Sequence, residues 1–471
     1  MFKIIFLKEL KEIIQSSRFT ISFAVCSVLI ILSFVMGAQN FLASKAQYEA
    51  AIQENRNQIA ANTNWVTVNH TIMLPPQPLM ALVSGVSNDI GRNVEVRGSG
   101  ELRADNTRYN DEPIFAIFRF MDLEFIFGII LSLFAIIFAY DSINGEKIRG
   151  TLKLCFSNSL PRASYIGGKL MGSFVGLSIA LLIPILIGCL LLPILGVNLT
   201  TDEWLRLGVI LLTGLAYFGV FLGIAMTISA ITKRPSTSFL ICLVIWIGGV
   251  LIIPRASVLI AGRLVDVPNV DEISAQKSRY RAQLWDEDQP KLSEFTIPDG
   301  VEPQNAFSKF SEFMQDLSAA RQVKIDEFDQ RLNEDYNNKS ENRQALALGI
   351  SRISPASMFT LAITNLSGTS LDLESRYKEA VKQYQTSYAS FMEEKTGNSG
   401  GGGFRMIIRT SDSEADKPEP LDPNEMPQFE FSSASLAESV SGTVLDLGLL
   451  FLLNIVFFAT SFAAFLRYDL R

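Results

Sequence analysis

Six runs of apolar residues, near 19–38, 123–140, 170–193, 206–231, 236–253 and 444–466, are each long enough to carry a helix across a bilayer. A helix rises 1.5 Å per residue, so roughly 20 apolar residues match about 30 Å of hydrocarbon. The chain of 471 residues, 48% hydrophobic and 19% charged, therefore reads as a polytopic α-helical membrane protein with six transmembrane helices. Small residues follow the first run at Gly37, Ala38 and Ala43, as they would after a cleaved signal peptide. Its apolar core exceeds the usual ~7–15 residues and a long charged stretch precedes it, so a retained anchor is the expectation.

Basic residues give the orientation. Segments 1–18, 141–169, 232–235 and 467–471 together hold 13 Lys/Arg against 5 Asp/Glu, whereas 254–443 holds 20 basic and 30 acidic residues. The positive-inside rule then places both termini in the cytoplasm and 39–122 and 254–443 outside. The outer regions contain no cysteine, since Cys26, Cys189 and Cys242 lie in apolar runs and Cys155 in the basic loop. An outer domain without disulfides is held by its own core, by the helices it grows from or by a partner. The single histidine, His70, allows no histidine cluster for a metal.

Residues 1–18 set Phe2, Phe6, Leu10 and Ile13 at helical spacing, with Lys3, Lys8, Lys11 and Glu12 elsewhere around the wheel. The pattern predicts an amphipathic helix on the inner membrane face, or more simply a charged extension of the first span. Region 39–122 begins helix-like and then alternates in WVTVNHTIMLPP and NVEVRGSGEL, which predicts a helix followed by short strands. Region 254–443 reads as helical near 268–285, 304–349 and 371–395, with a mobile Gly-rich, acidic linker at 396–427. FRMIIRT and QFEFSS are strand-like pieces that could add to the first region. Together these predict one large mixed α/β extracytoplasmic domain.

Ion-coupled transport requires ionisable groups within the bilayer, and the centres of all six runs lack them. A P-loop is also missing, the nearest match being Gly167-Gly168-Lys169-Leu170. No intramembrane hydrolase motif is visible either, so the chain is not expected to be an enzyme. Attention falls on Asp141–Lys169, which carries five basic residues and two acids. Ser159 and Pro161 predict a helix start with Arg162 and Tyr165 facing outward. A short helix between the Gly150-Thr151 turn and a Gly167-Gly168 hinge would transmit movement of a docked partner. A basic loop retained by charge alone is the simpler alternative.

The pattern Asp141, Glu146, Gly150, Thr151 and Leu152, followed by Pro161, Arg162 and Lys169, resembles the inner loop of ABC-2 type transporter permeases of the NosY-like kind. The six-span layout and N-terminal helix match as well. PPQPLMALVSGV, with Pro75, Pro76, Pro78, Leu79 and Gly85, and SPASMFTLAITNLSGTS, with Ser354, Pro355, Asn365, Leu366, Gly368 and Thr369, resemble the subgroup with a DUF3526 domain. The resemblance implies an exporter subunit in the bacterial cytoplasmic (inner) membrane, with those inner-loop residues contacting a separate ABC ATPase subunit. It implies a dimer with a second permease copy or paralogue. No cofactor is expected in this chain, ATP and Mg belonging to the ATPase. Membrane lipid and an extracytoplasmic protein are further expected partners, and nucleic acid is not. A subunit that rearranges such a protein without moving a substrate is the alternative reading.

Overall fold

The computed structural model describes residues 2–65, 68, 70–96, 104–105, 122–157, 161–295, 303–396 and 420–467. The helices begin with α1 (Phe2–Ile14), α2 (Ser17–Ala61) and α3 (Ser132–Ala139), the last entered through a turn at Leu123–Phe125 and a π-helical stretch at Ile126–Leu131. Next come α4 (Asn144–Ile148), α5 (Thr151–Ser157), α6 (Arg162–Ile194), α7 (Thr201–Ile231) and α8 (Pro235–Trp246). A second π-helical stretch, Ile247–Ile252, leads to α9 (Ile253–Leu264), α10 (Val270–Glu294) and α11 (Pro303–Ser351). The chain ends with α12 (Pro355–Ser367), α13 (Asp372–Thr396) and α14 (Leu436–Leu466).

Among the described residues, six helical segments are long and apolar enough to cross a membrane: Ser17–Ala61, Leu123–Ile148, Arg162–Ile194, Thr201–Ile231, Pro235–Leu264 and Leu436–Leu466. Each contains one of the six apolar runs. The chain divides into two compact units, one of Met1–Val250 with Pro355–Arg471 and one of Leu251–Ser354.

In the larger unit α7 is the central helix, with 78% of its apolar window buried, packed against α3, α12 and α14. Tyr217 stacks on Phe359 at 4.6 Å between ring centroids and donates to Gly128 O at 2.8 Å. Gly128 lies in the first π-helical stretch, where the altered ladder frees a carbonyl for a side chain. Capping boxes, Thr200 with Glu203 and Ser435 with Glu438, start α7 and α14. Arg206 joins the two starts through Ser439 Oγ at 3.1 Å and the Ala434 carbonyl.

Helix α12 was not singled out by hydropathy, because its 13 residues reach only about 20 Å. It is nevertheless buried, with Phe359, Ala362, Ile363 and Leu366 each at most 1% exposed. It stops at Gly368, φ +71°, a left-handed position that favours glycine. Thr369 then donates from Oγ1 to Val83 O at 3.1 Å and accepts from Val86 N at 2.9 Å. A Cβ at Gly85 would lie 2.2 Å from Thr369 O, so the two motif-bearing segments meet at a contact only glycine permits.

Three short antiparallel strands, β1 (His70–Met73), β2 (Asn93–Val96) and β3 (Ala104–Asp105), form a sheet in that order. His70 faces Val96 and Met73 faces Asn93 across β1 and β2. Ile72, Val94 and Val96 share a core with Tyr377, Val381, Tyr384 and Tyr388, which lie along one face of α13. Among the described residues the sheet is small, and the large mixed α/β domain expected from the sequence is not shown. FRMIIRT lies outside the described residues. QFEFSS forms no strand; its Phe429 and Phe431 pack their rings on Tyr377 and Tyr384 of α13. Of the linker 396–427, residues 397–419 lie outside the described residues, and Met426 joins this core.

The smaller unit consists of α9, α10 and α11, with α11 packed against both others. Tyr280 stacks on Phe328 at 4.0 Å. The buried Asp288 is held by Lys291 at 3.0 Å and Arg321 at 3.1 Å, and Arg321 also lies over Trp285.

Candidate functional site

The segments with basic excess converge on one end of the larger unit. Arg18 Nη1 reaches Asp141 Oδ2 at 3.0 Å. The Asn144 side-chain amide donates to Thr232 Oγ1 at 3.0 Å, and Ser229 Oγ accepts from the Ile143 amide at 3.0 Å. Arg162 Nη1 donates to Leu466 O at 2.6 Å, placing a cation on the open carbonyls that end α14. Residues near 18, 141–144, 162, 229–232 and 466 are thereby brought together.

A buried ion network lies beneath this surface. Lys169, 4% exposed, donates from Nζ to Glu9 Oε2 and to Glu146 Oε1, each at 2.9 Å. Tyr165 donates its hydroxyl to Glu146 Oε2. Ser173 Oγ donates to Glu9 Oε1 at 3.1 Å, and Lys8 approaches Glu146 at 3.5 Å. Two carboxylates and a buried ammonium are thus satisfied together, as buried charge requires. The carboxylates of Glu9, Glu12 and Glu146 come within 4.8 Å of one another. The Lys169 ammonium answers the charge of two of them, so the group is an ion-paired cluster and not an open set of metal ligands.

Glycines in α6 allow α1 to lie close enough for this network. A Cβ at Gly168 would be 3.0 Å from Ile5 Cβ, one at Gly172 would be 3.0 Å from Phe6 O, and one at Gly176 would be 3.1 Å from Leu10 Cδ1. Spacing of four puts all three on one helix face, the small-residue pattern of close helix contacts. Helix α6 runs unbroken from Arg162 to Ile194, so the expected short helix and Gly167-Gly168 hinge are corrected. Both glycines are helix interior, facing Phe2 and Ile5. Tyr165 faces inward at 3% exposure, and Arg162 is bound to a helix end. Ser159 lies outside the described residues.

The remaining residues of the segment shape its turn. Gly150 takes φ +75°, and Thr151 Oγ1 donates to Glu146 O at 3.1 Å. Leu152 is buried with Ile143, Tyr165, Ile166, Ala230 and Phe465. Pro161 caps α6, its carbonyl accepting from Tyr165 N at 3.2 Å. The sequence therefore indicated Asp141, Glu146, Gly150, Thr151, Leu152, Pro161, Arg162 and Lys169 as one region, and the structure brings them together with Glu9 and Ser173, which it had not indicated. It also leaves Ile148 61% and Leu154 72% exposed on either side of the Gly150 turn.

No curated protein matches the chain at a significant level. The family model described as ABC-2 family transporter protein matches residues 3–470. That match covers nearly the whole chain and, with six helices long and apolar enough to cross a membrane, identifies it as a multi-pass membrane protein belonging to the ABC-2 transporter family.

Proposed function

We propose that the chain is the transmembrane permease subunit of an ABC-2 type exporter, driven by a separate ATP-binding subunit that docks on residues 141–169. The observation that carries this reading is the pair Ile148 and Leu154, apolar and largely exposed on the short helices α4 and α5 that flank the Gly150 turn, a segment tied to α1 and α6 through Glu146 and Lys169. A partner seated on that turn would push on three elements at once. Asp141, Glu146, Gly150, Thr151, Leu152, Pro161, Arg162 and Lys169 then act as the coupling frame, and the exposed pair as its contact.

In this reading the basic end faces the cytoplasm of a bacterium and both termini lie inside. The contact of Gly85 with Thr369 supports kinship with the NosY-like, DUF3526-bearing subgroup, since residues of both motif segments meet there. The apolar windows of the fifth and sixth spans are only 17% buried, which leaves wide faces for lipid and for a second permease copy. A subunit that works on an extracytoplasmic protein is favoured by the compact unit Leu251–Ser354, whose exposed charged helices suit a protein partner. Export of solute by reconstituted complex separates the two.

Capture from the native membrane tests the docking. Wild type should bring down an ATP-binding subunit with a P-loop, and that complex should hydrolyse ATP. Leu154→Asp and Ile148→Asp alter exposed positions and should change stability by less than about 0.5 kcal/mol. Recovery of the ATPase should nevertheless fall at least about tenfold, or about 1.4 kcal/mol. Equal recovery with both variants, no ATP-binding subunit in the wild-type capture, or ATP turnover by the isolated chain would refute the proposal.

A further inference from the structure

Helix α1 carries apolar residues on two sides. One side, with Ile5, Phe6, Glu9, Leu10 and Ile13, packs on Gly168, Gly172 and Gly176 of α6. Much of the apolar face displayed by the sequence is therefore covered by protein. The other side is open. At about 100° per residue, Lys3, Ile4, Leu7, Lys11 and Ile14 fall within about 100° of one another. Ile4 is 67%, Leu7 48% and Ile14 48% exposed. Both lysines are exposed, and among the described residues neither forms an ion pair. Glu12, the exposed acid of α1, lies outside this stripe.

The place of the stripe favours a lipid surface over a protein. Only Gln15 and Ser16 separate α1 from α2. Arg18 pairs with Asp141, and the first apolar run begins, and the second ends, beside these two residues. The stripe is thus tethered at the boundary of the bilayer. Apolar side chains there enter the acyl layer, lysine stems reach back to the head groups, and attraction to anionic head groups adds to the burial. Helix α1 is also tied twice to α4. Lys8 reaches Glu146 at 3.5 Å, and Glu9 and Glu146 share Lys169 at 2.9 Å each.

We propose that the open stripe of α1 is a binding surface for anionic phospholipid, and that lipid seated there holds α4 in place through Glu146. Phosphates face Lys3 and Lys11, while Ile4, Leu7 and Ile14 enter the acyl layer. A ligand that binds the seated helix and not the displaced one stabilises the seated state by mass action. Displacing α1 breaks both of its links to Glu146. No docked partner enters this coupling, so it and the proposed docking stand or fall separately.

The full chain in nanodiscs, without an ATPase, tests both halves. A fluorescent label is attached at Leu7→Cys in a chain whose four native cysteines are replaced. Brominated phosphatidylglycerol should quench it at least about twofold more than brominated phosphatidylcholine at the same fraction, since the lysines gather the anionic lipid. In the wild-type chain, amides of α4 and α5 should exchange at least about fivefold more slowly with phosphatidylglycerol present than in phosphatidylcholine alone. Lys3→Gln with Lys11→Gln alters exposed positions only and should abolish both differences. Equal quenching by the two lipids, no quenching by either (the result for a face kept for a protein), exchange at α4 and α5 indifferent to the lipid, or differences that survive in the double variant would each overturn the proposal.

Discussion

His70 stands at the start of β1 with both ring nitrogens engaged. Asn55 Nδ2 lies 3.2 Å from Nδ1 and also donates to Thr71 O at 2.7 Å, which fixes the amide. Nδ1 is thus an acceptor, and Nε2 carries the proton toward Tyr384 Oη at 3.0 Å, whose own hydrogen goes to Pro427 O. Burial pushes the His70 pKa down from 6.5 to about 4. The folded value lies below the unfolded one, so the neutral ring's contribution is complete above pH 6.5. It is lost as pH falls from 6.5 to 4, where the unfolded chain takes up a proton and the folded chain does not. The loss approaches about 3 kcal/mol. As the chain has one histidine, its imidazole resonance is unambiguous, and the pH series should show a midpoint near 4. A midpoint near 6.5 would contradict the enclosed, neutral ring. The sequence disclosed only that His70 had no histidine partner. Its actual neighbours, Asn55 and Tyr384, are 15 and 314 residues away, and the second separation leaves no local trace.

Elements were legible in proportion to how local their cause is. The six spans could be read directly, because a run of some 20 apolar residues has few other physical explanations. The helix α13 could be read from a composition rich in Glu, Lys, Arg, Gln and Ala near 371–395, but not the tyrosine face with which it covers the sheet. Helix α12 could not, since a short apolar helix owes its burial to α7 and α14 and not to its length. Glycines 168, 172 and 176 were visible, yet their role depends on a partner helix some 160 residues earlier. Gly172→Leu tests that role. A side chain there has Glu9 Cβ 2.9 Å and Phe6 O 3.0 Å from its first carbon, so α1 must move away or the contact must strain. Overpacking of this kind costs about 1–3 kcal/mol. Lys169 would be separated from Glu9 as well. Hydrogen exchange should show α1 amides losing protection, whereas Gly208→Leu, where a Cβ meets nothing within 4 Å, should leave them protected. Equal protection in both variants would mean that α1 is not held by the glycine face.

For the whole molecule, the folded chain and the charge count point to the same pairing of segments by independent routes. Charge alone assigns 1–18, 141–169, 232–235 and 467–471 to one side, with 13 basic residues against 5 acidic. Packing joins members of all four neighbourhoods at one end, through Arg18 with Asp141, Asn144 with Thr232, and Arg162 with Leu466. Gly37 against Ala81, Leu82 with Leu123, and Arg206 with Ser439 join the opposite end. Which end faces the cytoplasm depends on the basic residues, and labelling single cysteines in a background without the four native ones decides it. Ser157→Cys, exposed at the basic end, should react only after the membrane is permeabilised, and Asn57→Cys, exposed near the far end of α2, should react in intact cells. ATP is available on the cytoplasmic side, so the reverse pattern would set Ile148 and Leu154 where no ATP-driven subunit can reach them. It would defeat the proposed docking while leaving the buried Lys169 network, which depends on packing alone, intact.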